Sequence, residues 1–89
     1  MRIERELQIK NMLGIHARVA ARIVAVTNKY ASSVFFRTKE RQANAKNLID
    51  LLTLSCPLGS IVTVEIDGSD AKGLFEELQT MADDKFGEE

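Results

Sequence analysis

Two segments of the chain, residues 2–10 and 61–67, place apolar side chains at every second position, and this pattern limits the possible folds more than any other feature. The apolar positions are Ile3, Leu7 and Ile9 in the first segment and Val62, Val64 and Ile66 in the second. Arg5 is the exception on the apolar side of the first segment. A strand with this alternation buries one face and leaves the other in water. The pattern therefore predicts an antiparallel sheet that is covered on one face.

Two further strands and three helices complete the predicted fold. Residues 33–38 and 42–44 favour a hairpin, and apolar residues three or four apart favour helices over 17–30, 47–54 and 70–86. The order is β-α-β-β-α-β-α. We expect an α+β open-faced β-sandwich, in which three helices lie on one face of a four-stranded antiparallel sheet, with residues 1–89 forming a single domain. The acidic residues after the last helix are expected to fray.

Composition and charge exclude several classes of protein. Lys and Arg number 12 and Asp and Glu number 13, so the net charge of −1 gives no overall field for nucleic acid or anionic lipid. No apolar run is long enough to span a membrane and the first residues do not resemble a signal peptide, so we expect a cytoplasmic protein. With one cysteine, Cys56, and one histidine, His16, we expect no disulfide, metal or cofactor, and a packing or loop role for the thiol.

The residues around His16 are the ones that predict a chemical function. Gly14 permits an unusual backbone turn, a helix that begins at Ala17 directs free N–H groups to the same place, and Arg18 adds a planar cation. These groups form an anion pocket beside a nucleophile, with the backbone of Ala17 and Arg18 binding phosphoryl oxygens. Since a neutral imidazole can both accept and release a phosphoryl group, the segment predicts reversible phosphoryl carriage on His16.

The stretch Gly14-Ile15-His16-Ala17-Arg18 resembles the active-site signature of HPr, the histidine phosphocarrier of the bacterial phosphoenolpyruvate-dependent phosphotransferase system. The resemblance covers essentially the whole chain, since 45–49 is similar to the start of the family's second helix and Leu58-Gly59 to the turn before its fourth strand. It implies the same fold and phosphorylation of His16 on Nδ1 by phospho-enzyme I. Enzyme IIA domains would receive the group, and Arg18 would steady it.

The resemblance also implies a partner-binding face on the first two helices. Its residues would be Ala17, Ala21, Arg22, Leu48, Ile49 and Leu52. At least one of the two leucines should be exposed, because a helix this short cannot bury four apolar side chains. Ala25 and Asn28 stand near places where the family commonly has lysines, which weakens electrostatic steering toward an acidic enzyme I surface.

Two departures from the family pattern bear on regulation. Val19 stands where proline is usual, at little cost because the first helical turn does not need the amide. Asn47 occupies the position of the regulatory serine; it can cap the second helix but has no hydroxyl to phosphorylate. We expect that helix to lie close to His16, so that a charge at Asn47 would face the incoming phosphoryl group. Asn47 and Leu13-Gly14 also resemble NPr, the nitrogen-regulatory branch, so the sequence leaves sugar uptake and nitrogen regulation both open as roles.

Three alternatives remain beside the carrier. A binding module of the same fold that is never phosphorylated would not need both His16 and Arg18. An RNA-binding sandwich would need exposed aromatic side chains on the sheet, for which Phe35 and Phe36 are weak candidates. A self-contained enzyme is the least favoured, because one histidine without a triad, paired carboxylates or a metal set is a poor catalytic site. We therefore expect a monomeric carrier protein without catalysis of its own.

Overall fold

The computed structural model describes residues 1–88 and contains the predicted order of elements. The strands are β1 (Arg2–Gln8), β2 (Ser33–Arg37), β3 (Gln42–Asn44) and β4 (Ile61–Asp67), and the helices are α1 (Ala17–Thr27), α2 (Leu48–Leu52) and α3 (Ala71–Asp83). The strands form one antiparallel sheet in the order β1-β4-β2-β3. The predicted α+β open-faced sandwich is confirmed. No helix within residues 1–88 has the length and apolar character needed to cross a membrane.

The covered face of the sheet follows the alternation in the sequence. Val62, Val64 and Ile66 are buried, and the antiparallel register sets Leu7 opposite Val62. Arg5 lies opposite Val64 and therefore on the same face, but its guanidinium turns outward and donates to the carbonyl of Glu4 at 3.0 Å. Because β1 is an edge strand, a charged residue at this position of the covered face discourages pairing with another chain.

Helices α1 and α2 run in opposite directions across the core. The Thr27 hydroxyl at the end of α1 donates to the carbonyl of Ala45, just before α2, at 2.7 Å. At the other end, the amide of Ile15 donates to the carbonyl of Cys56, beyond α2, at 3.0 Å. The segment after α2 therefore reaches the residues that precede α1. Cys56 is buried, as expected for a packing thiol.

The segment after α3 differs from the prediction. The helix ends at Asp83 and not near Phe86, because Lys85 and Phe86 have left-handed φ values of 55° and 54°. The chain then forms a 3₁₀ turn over Lys85–Gly87 that inserts Phe86 into the core at 2% exposure. The expectation of a helix to about Phe86 is therefore wrong for residues 84–86, and the expectation of a frayed tail is wrong for residues 87–88. Glu89 lies outside the described residues.

We expect Phe86→Ala to lower the free energy of unfolding by about 3 kcal/mol, the cost of removing a fully buried aromatic ring. Phe35→Ala is the matched control, since that ring is half-buried on the open face of the sheet and should cost less. Urea denaturation followed by circular dichroism measures both values. Equal losses in the two variants would contradict the placement of Phe86 in the core.

Candidate functional site

His16 is the residue immediately before α1, and its ring does not cap the helix. Its backbone is extended, with φ −120° and ψ −176°, and its carbonyl accepts the first helical hydrogen bond from Ala20 at 2.8 Å. Within residues 1–88, the amides of Ala17, Arg18 and Val19 have no hydrogen-bond acceptor. Three N–H groups and the positive end of the helix therefore lie next to a side chain that is 30% exposed.

Gly14 holds the His16 loop against the segment that follows α2. Its φ of +69° lies in the left-handed region, and a Cβ here would overlap the carbonyl oxygen of Cys56 and lie 2.9 Å from Cα of Pro57. The next amide, that of Ile15, uses this close approach to donate to the same carbonyl. The prediction of an unusual turn at Gly14 is confirmed, and its reason is close backbone packing as well as φ.

A carboxylate that the sequence analysis missed contacts the imidazole. Nε2 of His16 lies 2.9 Å from each carboxylate oxygen of Glu88. Arg18 places its Nη1 atom 3.6 Å from the same carboxylate, and Asn11 donates to it from Nδ2 at 3.1 Å. The hydrogen bond from His16, with further contributions from Asn11 and Arg18, lowers the pKa of Glu88 below its ordinary value.

Arg22 contributes indirectly to this arrangement. Although Arg22 is solvent-exposed, its Nη1 atom donates to the carbonyl of Phe86, two residues before Glu88. Gly87 between them has φ +77°, and a Cβ there would lie 3.0 Å from the same Nη1 atom. Arg22, which the family resemblance places on the partner face, thus also holds the segment that carries Glu88. No sequence signal connects these residues, since 64 positions separate Arg22 from Phe86.

The other residues of the predicted partner face are exposed. Ala17 and Ala21 face solvent on α1. On α2, Leu48, Ile49 and Leu52 are 39%, 75% and 44% exposed, while Leu51 is buried. The expectation that at least one of Leu48 and Leu52 stays out of the core is confirmed, and the three side chains form an apolar surface on a short helix that packs beside α1.

Asn47 caps α2 as expected but lies at the wrong end for contact with His16. Its side-chain oxygen accepts from the amide of Asp50 at 2.9 Å. However, Asn28 Nδ2 donates to the carbonyl of Lys46 at 3.4 Å, so the start of α2 adjoins the last turn of α1. His16 precedes the first turn, about 16 Å away along an eleven-residue helix. The expectation that Asn47 faces the phosphoryl site is therefore wrong, although α2 packs beside α1.

The open face of the sheet does not have the character of an RNA-binding surface. Phe35 is the one aromatic side chain that the described strands place there, since Phe36 is fully buried on the opposite face. Around it the charges are mixed, with Arg37 and Arg2 both paired to Glu65. An RNA-binding sheet needs several aromatic platforms and a basic surface. Within the described residues, neither is present.

Comparison with known proteins shows which family the chain resembles. The family model described as PTS HPr component phosphorylation site matches residues 3–84. Phosphocarrier protein HPr of Xylella fastidiosa strain Temecula1 is 33% identical over 87 residues, with 98% of each chain covered. Phosphocarrier protein NPr of Shewanella violacea is 29% identical, covering 98% of this chain and 96% of the relative. A crystal structure of HPr from Thermoanaerobacter tengcongensis superposes with a TM-score of 0.91 at 31% identity, with 98% of each chain covered.

We expect Gly14→Ala to lower the free energy of unfolding by about 3 kcal/mol, because overlap with the Cys56 carbonyl adds to the cost of a left-handed alanine. Gly59→Ala is the matched control: its φ is +90°, but nothing lies within 4 Å of a Cβ placed there, so it should lose about 1 kcal/mol. Urea denaturation compares the two. A loss at Gly14 no larger than at Gly59 would contradict the close packing of the His16 loop.

Proposed function

The chain belongs to the HPr family of phosphocarrier proteins of the phosphotransferase system, and we propose that His16 is the residue that carries its phosphoryl group. The observation that supports this most directly is the position of a partly exposed imidazole before three amides of α1 that have no acceptor within residues 1–88. Phospho-enzyme I would donate the group and an enzyme IIA domain would accept it.

The chemistry needs little from the protein beyond positioning. During transfer, a phosphoryl group spreads negative charge over three oxygens and is stabilised by hydrogen-bond donors that point toward them. The amides of Ala17 and Arg18 provide such donors at the helix terminus, where the dipole also favours an anion. Since the Arg18 side chain is 70% exposed, its guanidinium is available to an incoming group.

The carrier role also gives a function to the exposed apolar side chains of α2. Leu48, Ile49 and Leu52 would form an apolar docking surface for both donor and acceptor, with Ala17 and Ala21 beside it. Chemistry at His16 would depend on these partner proteins, because the described residues hold no triad and no metal cluster near it. Absence of independent catalysis, a monomeric state, a cytoplasmic location and a single domain over residues 1–89 stay predictions.

We also propose a branch of the phosphotransferase system for this chain and an absence of serine-kinase regulation at Asn47. Relatives named HPr, such as those of Xylella fastidiosa and Cupriavidus necator at 33% identity, support the sugar-transport branch over nitrogen regulation. Asn47 cannot be phosphorylated, so we expect an HPr serine kinase to leave this position unmodified. Its distance from His16 means that any influence of a charge at Asn47 would act through partner docking.

We expect His16→Ala to remain folded and to take up no acid-labile phosphate from phosphoenolpyruvate and enzyme I, because it removes the single imidazole of the chain. Labelling with ³²P, followed by acid treatment, measures the uptake, and circular dichroism checks the fold. Labelling retained in this variant would overturn the assignment of His16. A parent protein that takes up no phosphate would instead favour a binding module that is never phosphorylated.

We expect Arg18→Lys to slow transfer to His16 about tenfold, because an ammonium offers a point charge where a guanidinium can contact two phosphoryl oxygens. Rapid-quench kinetics with phospho-enzyme I would measure the rate. Arg41→Lys is the control, since Arg41 is an exposed arginine of the β2–β3 turn. Equal rates in the parent and Arg18→Lys would show that Arg18 does not contact the group in transfer.

A further inference from the structure

We propose that Glu88 is a positioning residue for His16: its carboxylate holds the ring proton on Nε2 and leaves Nδ1 as the nucleophile. A carboxylate accepts hydrogen bonds and cannot donate them. With both oxygens 2.9 Å from Nε2, that nitrogen must carry the hydrogen, and the lone pair of the neutral ring is then on Nδ1. Within residues 1–88, no hydrogen-bond partner faces Nδ1. The inference rests on the proposed phosphoryl transfer: the family resemblance implies reaction at Nδ1, and Glu88 is the residue of this chain that would direct it there.

The carboxylate is itself held in place by a buried amide. Asn11 is fully buried, and its Nδ2 atom donates both to Glu88 at 3.1 Å and to the carbonyl of Gly14 at 2.8 Å. One side chain therefore ties Glu88 to the loop that carries His16. A group that orients an imidazole acts well when its own position is fixed by a further hydrogen bond. The Asn11 amide supplies that bond here.

The backbone before Glu88 is also fixed. Phe86 is buried at 2% exposure, and Arg22 donates to its carbonyl. The left-handed Gly87 then turns the chain so that Glu88, whose side chain is 11% exposed, reaches the ring. A carboxylate on a free chain end would lose considerable side-chain and backbone entropy on binding the imidazole. Here that entropy is lost when the protein folds, so the ring is oriented before any donor arrives.

The transfer step balances with the proton kept on Nε2. The Nδ1 lone pair forms the bond to phosphorus while the bond from phosphorus to the donor atom breaks, and that electron pair leaves with the donor. No proton has to move from the ring. The product is a phosphoimidazolium whose positive charge lies against the Glu88 carboxylate, which stabilises it. Without the carboxylate, the ring is free to react at Nε2, the less crowded nitrogen.

Phosphoramidate tests the proposal without any partner protein, because it phosphorylates imidazoles directly with loss of ammonia. We expect the parent to give mainly the Nδ1 isomer of phosphohistidine, resolved from the Nε2 isomer by ³¹P NMR. Glu88→Gln keeps the size of the side chain but removes its charge and adds an N–H donor that can face Nε2. We expect this variant and Glu88→Ala to raise the ratio of Nε2 to Nδ1 product about tenfold, the effect of losing one charge-assisted hydrogen bond.

Asp84→Asn is the charge-matched control, since Asp84 is exposed in the same segment and makes no side-chain contact with His16 within the described residues. Its isomer ratio should equal that of the parent, and ¹⁵N NMR of the neutral ring should place the proton on Nε2 in both proteins. An unchanged ratio in both Glu88 variants, or the same change in Asp84→Asn, would overturn the positioning role. These readouts use no enzyme I, so failure of the proposed transfer from phospho-enzyme I would be seen separately, in the labelling of the parent.

Discussion

The close approach of Gly14 to the carbonyl of Cys56 positions His16 and the start of α1. The carbonyl accepts from the Ile15 amide at 3.0 Å, and no residue with a Cβ fits at position 14 without displacing it. Because Cys56 follows α2, this contact joins the His16 loop to the end of the second helix. This contact, together with the bond from Thr27 to Ala45 at the other end of α1, therefore holds the His16 loop and α1 beside α2.

The sheet was predictable from the sequence because a period of two is local information. The bounds 61–67 and 42–44 agree with β4 and β3, since each is marked by alternation and by neighbouring turn residues. The extent of α3 was not predictable in the same way. Its apolar spacing continues to Phe86, but Lys85 and Phe86 leave the helix because the ring gains more by entering the core than by remaining on the helix.

The site was predictable only where its residues are neighbours in the chain. Gly14, His16 and Arg18 lie close together in the chain, so the start of one helix brings them to the same place. Asn11 and Glu88 are 77 positions apart and meet because the segment after α3 turns back over α1. The same limit explains the error at Asn47: the sequence shows that this residue begins a helix, but only the antiparallel arrangement of α1 and α2 shows which end of α1 it adjoins.

The charges around His16 explain why a carboxylate from a distant part of the sequence lies at this site. The first turn of α1 contains no acidic residue and does contain Arg18, so a cation lies at the positive end of a helix dipole. That arrangement favours an incoming phosphoryl group and is unfavourable without an anion. Glu88 supplies the anion from the far end of the sequence, 3.6 Å from Arg18, and binds the imidazole at Nε2. Its contacts with Nε2 of the ring and with Arg18 compensate the positive charge, and within residues 1–88 the amides of Ala17, Arg18 and Val19 stay without an acceptor. If His16 carries the phosphoryl group as proposed, the carboxylate that stabilises the unphosphorylated site need not leave when Nδ1 is phosphorylated.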